Sequence, residues 1–321
     1  MSVKILVCGA GGFIGHHLVN YLKNQGDYVD GVDLKLPRFE KSLADNFFEY
    51  DLRDLDKVKK LNLHQYDEIY QLAADMGGAG FVFTGDNDSD IMHNSATINL
   101  NILYELSQNN FKGRIFYSSS ACIYPEYNQL DPQNPKCSED SAYPAQPDSE
   151  YGWEKLFSER LYLAFNKNKK INVKIARYHN IFGPLGSWND GREKAPAAIC
   201  RKVHEASDKG TIEIWGDGTQ TRSFLFVDDC VLGTVKLMRS DQIGPFNIGS
   251  ERMVTIKQLV EIVSKIAKKK INVVCVDGPT GVKGRNSDNK LVEKSINWRE
   301  TTKLEEGLTK TYDWIGTQCS K

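Results

Sequence analysis

The chain has 321 residues, 40% hydrophobic and 26% charged, with a formal net charge of −1. That balance describes a globular protein too long for one core, so two lobes are expected, with no electrostatic basis for nucleic-acid binding and no membrane-spanning run. The cysteines at 8, 122, 137, 200, 230, 275 and 319 are odd in number, scattered and without C-x-x-C spacing. This predicts reduced thiols in a cytoplasmic setting, with no disulfide and no metal site.

A single lysine precedes the first apolar run, so no secretory signal is expected. Val3 to Cys8 reads as a buried parallel strand that runs into Gly9-Ala10-Gly11-Gly12-Phe13-Ile14-Gly15 and a helix with apolar Leu18, Val19 and Leu22. Glycines at 9, 12 and 15 let backbone approach a pyrophosphate at a helix N-terminus, which predicts dinucleotide binding. A second strand, Tyr28 to Val32, ends at Asp33, about twenty residues on, where a carboxylate accepts from the adenosine ribose and disfavours a 2′-phosphate. NAD is therefore expected over NADP. Asp51 follows a third strand, Phe47 to Tyr50, and reads either as an adenine neighbour or as a cap for a helix over Leu52 to Leu61.

Glu68 to Ala74 is a fourth strand opening into the glycine-rich Asp75 to Gly80, with a polar acidic stretch to about Asp90. A helix is expected from Ser95 to Asn109, its core face formed by Ile98, Ile102, Leu103 and Leu106. The fifth strand, Arg114 to Ser120, delivers Cys122 to the same sheet edge. Cys8, Cys200, Cys230 and Cys275 sit in apolar runs and read as buried packing residues, whereas Cys122 leaves a serine cluster at a strand exit and is open to chemistry.

Tyr151 and Lys155, four apart on the next helix, share a face. The ammonium favours a phenolate, as does an oxidised nicotinamide ring, so the pair suits proton removal from a substrate hydroxyl. Val173 to Ala176 forms another strand, and the repeated alternation argues a doubly wound parallel sheet. Further on, Ile212 to Gly218 reads as a strand and turn, Thr255 and Gln258 as a capping box, Asn272 to Val276 as a strand, and 284–288 as a polar loop. Lys268 to Lys270 reads as a solvated helix end. Lys194, Lys202, Arg222 and Arg285 suit a diphosphate.

Taken together, Gly9-x-x-Gly12-x-x-Gly15, Asp51-Leu52-Arg53, Ser120, Tyr151-x-x-x-Lys155, Asn180-x-Phe182-Gly183-Pro184 and Arg222-x-Phe224-x-x-Val227-Asp228-Asp229 resemble the extended short-chain dehydrogenase/reductase (NAD-dependent epimerase/dehydratase) family. The resemblance spans essentially the whole chain. It implies a Rossmann-type sheet with a smaller C-terminal α/β domain, divided as 1–178 plus about 223–244 for NAD and about 179–222 plus 245–321 for a nucleotide sugar.

Ala73 to Gly78, Ser119 to Pro125, Gly191 to Ala198, Trp215 to Phe224 and Gly284 to Asn289 are similar to the branch that epimerises a GDP-hexose at carbons 3 and 5. The implied reaction converts GDP-mannose to GDP-L-galactose, with GDP-L-gulose as a further product. By this resemblance Cys122 and Lys194 are the acid–base pair, beside Ser120, Tyr151 and Lys155. Cofactor contacts fall on Gly9, Gly12, Phe13, Ile14, Gly15, Asp33, Asp51, Leu52, Ala73, Tyr151 and Lys155. Substrate contacts fall on Gly78, Ser120, Cys122, Asn180, Glu193, Lys194, Lys202, Gln220, Arg222 and Arg285, with Arg285 on the diphosphate. Related 4,6-dehydratases carry an acidic pair where Ala121 and Cys122 stand. A different GDP-sugar, such as a heptose or deoxysugar, 4-epimerisation, and a non-catalytic NAD-sensing scaffold remain open. Relatives pair the helices that correspond to Ser95–Asn109 and Tyr151–Phe165 in a four-helix bundle, which implies a homodimer.

Overall fold

The computed structural model describes residues 3–108 and 110–320. In chain order, β1 (Lys4–Cys8), α1 (Phe13–Asn24), β2 (Tyr28–Asp33), β3 (Asn46–Glu49), α2 (Leu55–Lys60) and β4 (Glu68–Gln71) come first. Then follow α3 (Ala79–Val82), α4 (Asp88–Gln108), β5 (Arg114–Ser120), α5 (Glu150–Lys169), β6 (Asn172–Tyr178) and β7 (Ile181–Phe182). The remainder is α6 (Ala195–Glu205), β8 (Thr211–Trp215), β9 (Thr221–Ser223), β10 (Leu225–Phe226), α7 (Val227–Met238), β11 (Phe246–Ile248), β12 (Met253–Thr255), α8 (Ile256–Ala267), β13 (Asn272–Val276), β14 (Gly284–Arg285), α9 (Lys290–Ile296) and α10 (Leu304–Cys319).

Seven strands form one parallel sheet in the order β11-β6-β5-β4-β1-β2-β3. Both faces are covered. Ile5 and Val7 pack with Leu18, Val19 and Leu22 of α1 and Val231 and Leu237 of α7. Leu6 and Cys8, on the other face, pack with Ile102, Leu103 and Leu106 of α4 and Tyr162 of α5. Burial on both faces explains why these strands read as continuous apolar runs. The order reverses between β1 and β4, and a crevice at their carboxyl ends is where such sheets take ligands. One edge strand, β11, comes from the stretch after residue 244. Smaller sheets carry the rest: β12-β9-β14, β13-β8 and β10-β7.

Several local expectations change. Helix α4 starts at Asp88, earlier than Ser95, because Asp88 and Asp90 in its first turn complement the helix dipole. Asn109, its expected end, lies outside the described residues. Asp54, whose side chain accepts from the Asp56 N–H, caps α2, so Asp51 is not that cap. Gly284 and Arg285 form a buried strand beside β9 instead of a loop. Cys275 is exposed, since β13 has one partner strand and little covers it, whereas Cys8, Cys200 and Cys230 are buried. Lys269 is engaged and not merely solvated: its Nζ donates to the carbonyls of Val203, His204 and Ala206 at the end of α6. The capping box of Thr255 and Gln258 is formed.

Candidate active site

The glycine turn is fixed by backbone sterics. A Cβ on Gly15 would lie 2.0 Å from the Gly9 carbonyl oxygen, and one on Gly9 (φ +84°) 2.8 Å from the Ala73 nitrogen. Gly12 caps α1 without a side-chain hydrogen bond, so the first N–H groups of the helix face the turn. Asp33 at the end of β2 accepts from Gly11 N–H at 2.9 Å and Leu34 N–H at 2.6 Å. Burial pushes its carboxyl up, and those two bonds pull against it. Phe13 lies against the loop at Gly183 and Gly186. Asp51 is held by Arg53, Leu52 is buried, and Ala73 N–H donates to Gln71 Oε1. A bare helix N-terminus, a cradle that any Cβ would fill and an acid at the β2 exit together fit a dinucleotide.

The reaction centre gathers around α5. Ser149 caps that helix by accepting from Gly152 N–H, which sets Tyr151 and Lys155 over the end of β5. Lys155 Nζ donates to the Ser118 carbonyl at 2.9 Å and lies 5.7 Å from the Tyr151 ring centroid. Burial pulls the Lys155 amine down. Burial and the adjacent Cys122 push the Tyr151 phenol up, and the Ser120 hydroxyl pulls it back. The expectation that Lys155 lowers Tyr151 is therefore corrected: removal from water outweighs it in the free chain.

Cys122 sits on the short turn after β5, its N–H donating to Ser120 Oγ at 3.2 Å. It packs with Phe81, Val82, Ile91 and Tyr151. The glycine between Tyr151 and Trp153 matters here. A Cβ on Gly152 would lie 2.2 Å from the Cys122 carbonyl oxygen, so only glycine lets α5 approach that turn. Glycine inside a helix pattern is the signal in the sequence that marks this approach.

Lys194 stands at the N-cap of α6. A Cβ on Gly78 would lie 2.2 Å from the Glu193 carbonyl oxygen, and Gly78 N–H donates to the Arg192 carbonyl at 2.9 Å. Arg192 stacks on Phe81 and pairs with Asp75. Two loops distant in sequence are thereby joined, which carries Lys194 into the electrostatic reach of Cys122. Burial pulls the Lys194 amine below its ordinary range, and Cys122 opposes that shift. Glu193 pairs with Arg201.

The remaining expected substrate residues divide. Arg285 is buried and donates to Cys122 Sγ, Gln129 and Asp148. Arg222 donates to the carbonyls of Thr221 and Thr280, and burial together with Arg285 pulls its guanidinium down to about 10. Two mutually repelling guanidinium groups form a place for an anion. Asn180 (φ +45°) donates to the Ser223 carbonyl. Lys202 and Gln220 donate to the carbonyls of Glu213 and Trp215, bracing β8 and the turn after it. Beneath the centre, the Glu159–Arg177 pair is buried, with Ser119 Oγ donating to Glu159. Among the described residues, no three His, Cys, Asp or Glu side chains gather as a metal site.

The NAD dependent epimerase/dehydratase family matches residues 5–249. The chain belongs to that family. It is 44% identical over 322 aligned positions to the GDP-mannose 3,5-epimerase of Arabidopsis thaliana, covering 100% of this chain and 84% of that protein. UDP-glucuronic acid 4-epimerase from Bacillus cereus, solved with UDP-glucuronic acid and NAD, superposes with a TM-score of 0.82 at 27% identity, covering 98% of this chain and 99% of that one. UDP-glucose 4-epimerase from Thermotoga maritima shares the fold, with a TM-score of 0.86 at 23% identity over 98% of this chain and 99% of that one. Membership in the epimerase/dehydratase family makes NAD the cofactor, in agreement with the fit of the glycine cradle and Asp33.

Proposed function

We propose that this enzyme epimerises GDP-mannose at carbons 3 and 5, giving GDP-L-galactose with GDP-L-gulose as a further product. The observation that carries this reading is the convergence of a thiol, Cys122, and a burial-softened amine, Lys194, beside Tyr151 and Lys155. A 4-epimerase needs only the tyrosine and leaves the thiol and amine without a task. The 44% identity to an enzyme named for this reaction supports the sugar and the guanine base.

In this reading Gly9, Gly12, Phe13, Ile14, Gly15, Asp33, Asp51, Leu52 and Ala73 hold NAD, which when bound supplies reversible hydride acceptance at carbon 4. Tyr151 takes the proton of the 4-hydroxyl, and Ser120 steadies the same oxygen. Lys155 stays fixed against the Ser118 carbonyl and compensates charge on Tyr151. The sugar's 4-ketone then acidifies the hydrogens on carbons 3 and 5. One of Cys122 and Lys194 removes a proton from one ring face, and the other returns a proton to the opposite face. Arg222, whose guanidinium donates to the carbonyls of Thr221 and Thr280, is the diphosphate contact, while Arg285, expected in that role, has its nitrogens engaged by Cys122, Gln129 and Asp148. Segments 179–222 and 249–321 form the sugar-nucleotide side.

Turnover of GDP-mannose in deuterated water tests this directly. Deuterium at both carbons 3 and 5 is expected, and a product labelled at neither rules the reading out. A panel of GDP-sugars and UDP-sugars should show preference for GDP-mannose. We also propose a homodimer through α4 and α5, supported by exposed Leu100, Tyr104, Trp153 and Phe157 on those helices. Phe157→Glu should halve the mass measured by light scattering. Among the described residues no helix is long and apolar enough to cross a membrane.

A further inference from the structure

Four cations bear on one sulfur. Lys155 from α5, Lys194 ahead of α6, Arg222 of β9 and Arg285 of β14 all act electrostatically on Cys122, with the Tyr151 phenol beside it. Among the described residues only Arg285 reaches the sulfur with a hydrogen bond, Nη1 donating to Sγ at 3.1 Å. The other edges of its guanidinium are tied down. Nε donates to Gln129 Oε1 at 2.6 Å and Nη2 to Asp148 Oδ2 at 3.2 Å. A planar fork fixed at three nitrogens, in a residue 4% exposed, has one orientation available.

We propose that Arg285 is the permanent counter-cation that keeps Cys122 as a thiolate, with Gln129 and Asp148 as positioning residues that aim the guanidinium at the sulfur. The proposal rests on the acid–base role given to Cys122 above. Only a thiolate can take a proton from carbon, and a cation in contact with sulfur favours that form. Arginine suits the task because it keeps its proton throughout. A lysine in the same contact would be able to surrender its own. The titratable amine, Lys194, is thereby left free to exchange a proton on the other ring face. When Sγ takes up the substrate proton, its bond from Nη1 loses its anionic acceptor and weakens, and return of the proton restores it.

Asp148 gives the proposal a test of sign. Its carboxylate opposes part of the guanidinium charge that the sulfur feels. Removing Arg285 therefore disfavours the thiolate, whereas removing the Asp148 charge does not.

The experiment uses the full chain without substrate. Limiting iodoacetamide is added, and alkylation at each cysteine is read by peptide mass spectrometry, with exposed Cys275 as the internal reference. At pH 7, Arg285→Gln should slow alkylation of Cys122 relative to Cys275 about tenfold. Asp148→Asn should leave the ratio unchanged or raise it. At about pH 10, where ordinary thiols near ~8.5 are ionised, the deficit of Arg285→Gln should close. Should Arg285→Gln fail to fold, the double substitution R285Q/D148N removes both buried charges and is compared with Asp148→Asn in the same way. The proposal is overturned if removing Arg285 does not slow alkylation, if the slowing is equal at both pH values, or if Asp148→Asn slows it as well. No turnover is read, so a failed labelling experiment and a failed alkylation experiment are separate results.

Discussion

The two ends of the crevice are built in opposite ways. At the cofactor end one continuous stretch of backbone, Gly9 to Gly15, makes the cradle, and Asp33 closes it through backbone hydrogen bonds. At the sugar end the working groups are side chains from β5, α5, the approach to α6, β9 and β14, brought together by glycines at loop contacts. The first construction is local and rigid. The second depends on how several segments dock, so small displacements there should reach the chemistry without disturbing cofactor binding.

Substitutions can break that contrast at either end. Tyr151→Phe removes the proton acceptor alone and should cut kcat about a thousandfold while NAD affinity, measured by calorimetry, stays near that of the parent. Gly15→Ala forces a backbone clash at 2.0 Å and should weaken NAD binding about a hundredfold, close to 2.7 kcal/mol. Gly152→Ala strikes the other end, pushing α5 against the Cys122 carbonyl. It should slow deuterium uptake at carbons 3 and 5 about tenfold with NAD affinity retained, since displacement of a reacting group by a fraction of an ångström costs rate. Equal losses of binding and exchange in Gly152→Ala would erase the distinction.

pH sharpens the comparison with a smaller effect. Burial pulls Lys194 below the ordinary lysine range near ~10.4, so its amine loses its proton at lower pH than a free lysine. With Cys122 removing the carbon-bound proton, Lys194 returns one, so exchange should fall a few-fold as pH increases through the lowered value. Lys194→Arg, always protonated, should lack that fall. A profile identical in both proteins would remove Lys194 from the acid role.

The same contrast explains what could be read from the chain. The parallel strands, the glycine turn, Asp33 and the Tyr151–Lys155 pair were legible because each is periodic or closely spaced along the sequence. The family likeness supplied the acid–base roles of Cys122 and Lys194, whose placement depends on docking. Gln129 and Asp148 were not legible: Arg285 meets Cys122 163 positions away and Gln129 156 positions away, and no local pattern announces such contacts. Cys275 misled for the opposite reason. Its apolar neighbours indicate a strand, but a strand in a two-stranded sheet leaves a face in water.

The central claim is that oxidation at carbon 4 and proton exchange at carbons 3 and 5 are separate tasks of separate side chains. Cys122→Ser, mixed with GDP-mannose in deuterated water in a single turnover, tests it most directly. The account predicts that reduced nicotinamide still forms, seen by its absorbance, while deuterium uptake at those carbons falls at least about a hundredfold. Uptake at the parent rate in Cys122→Ser would contradict it.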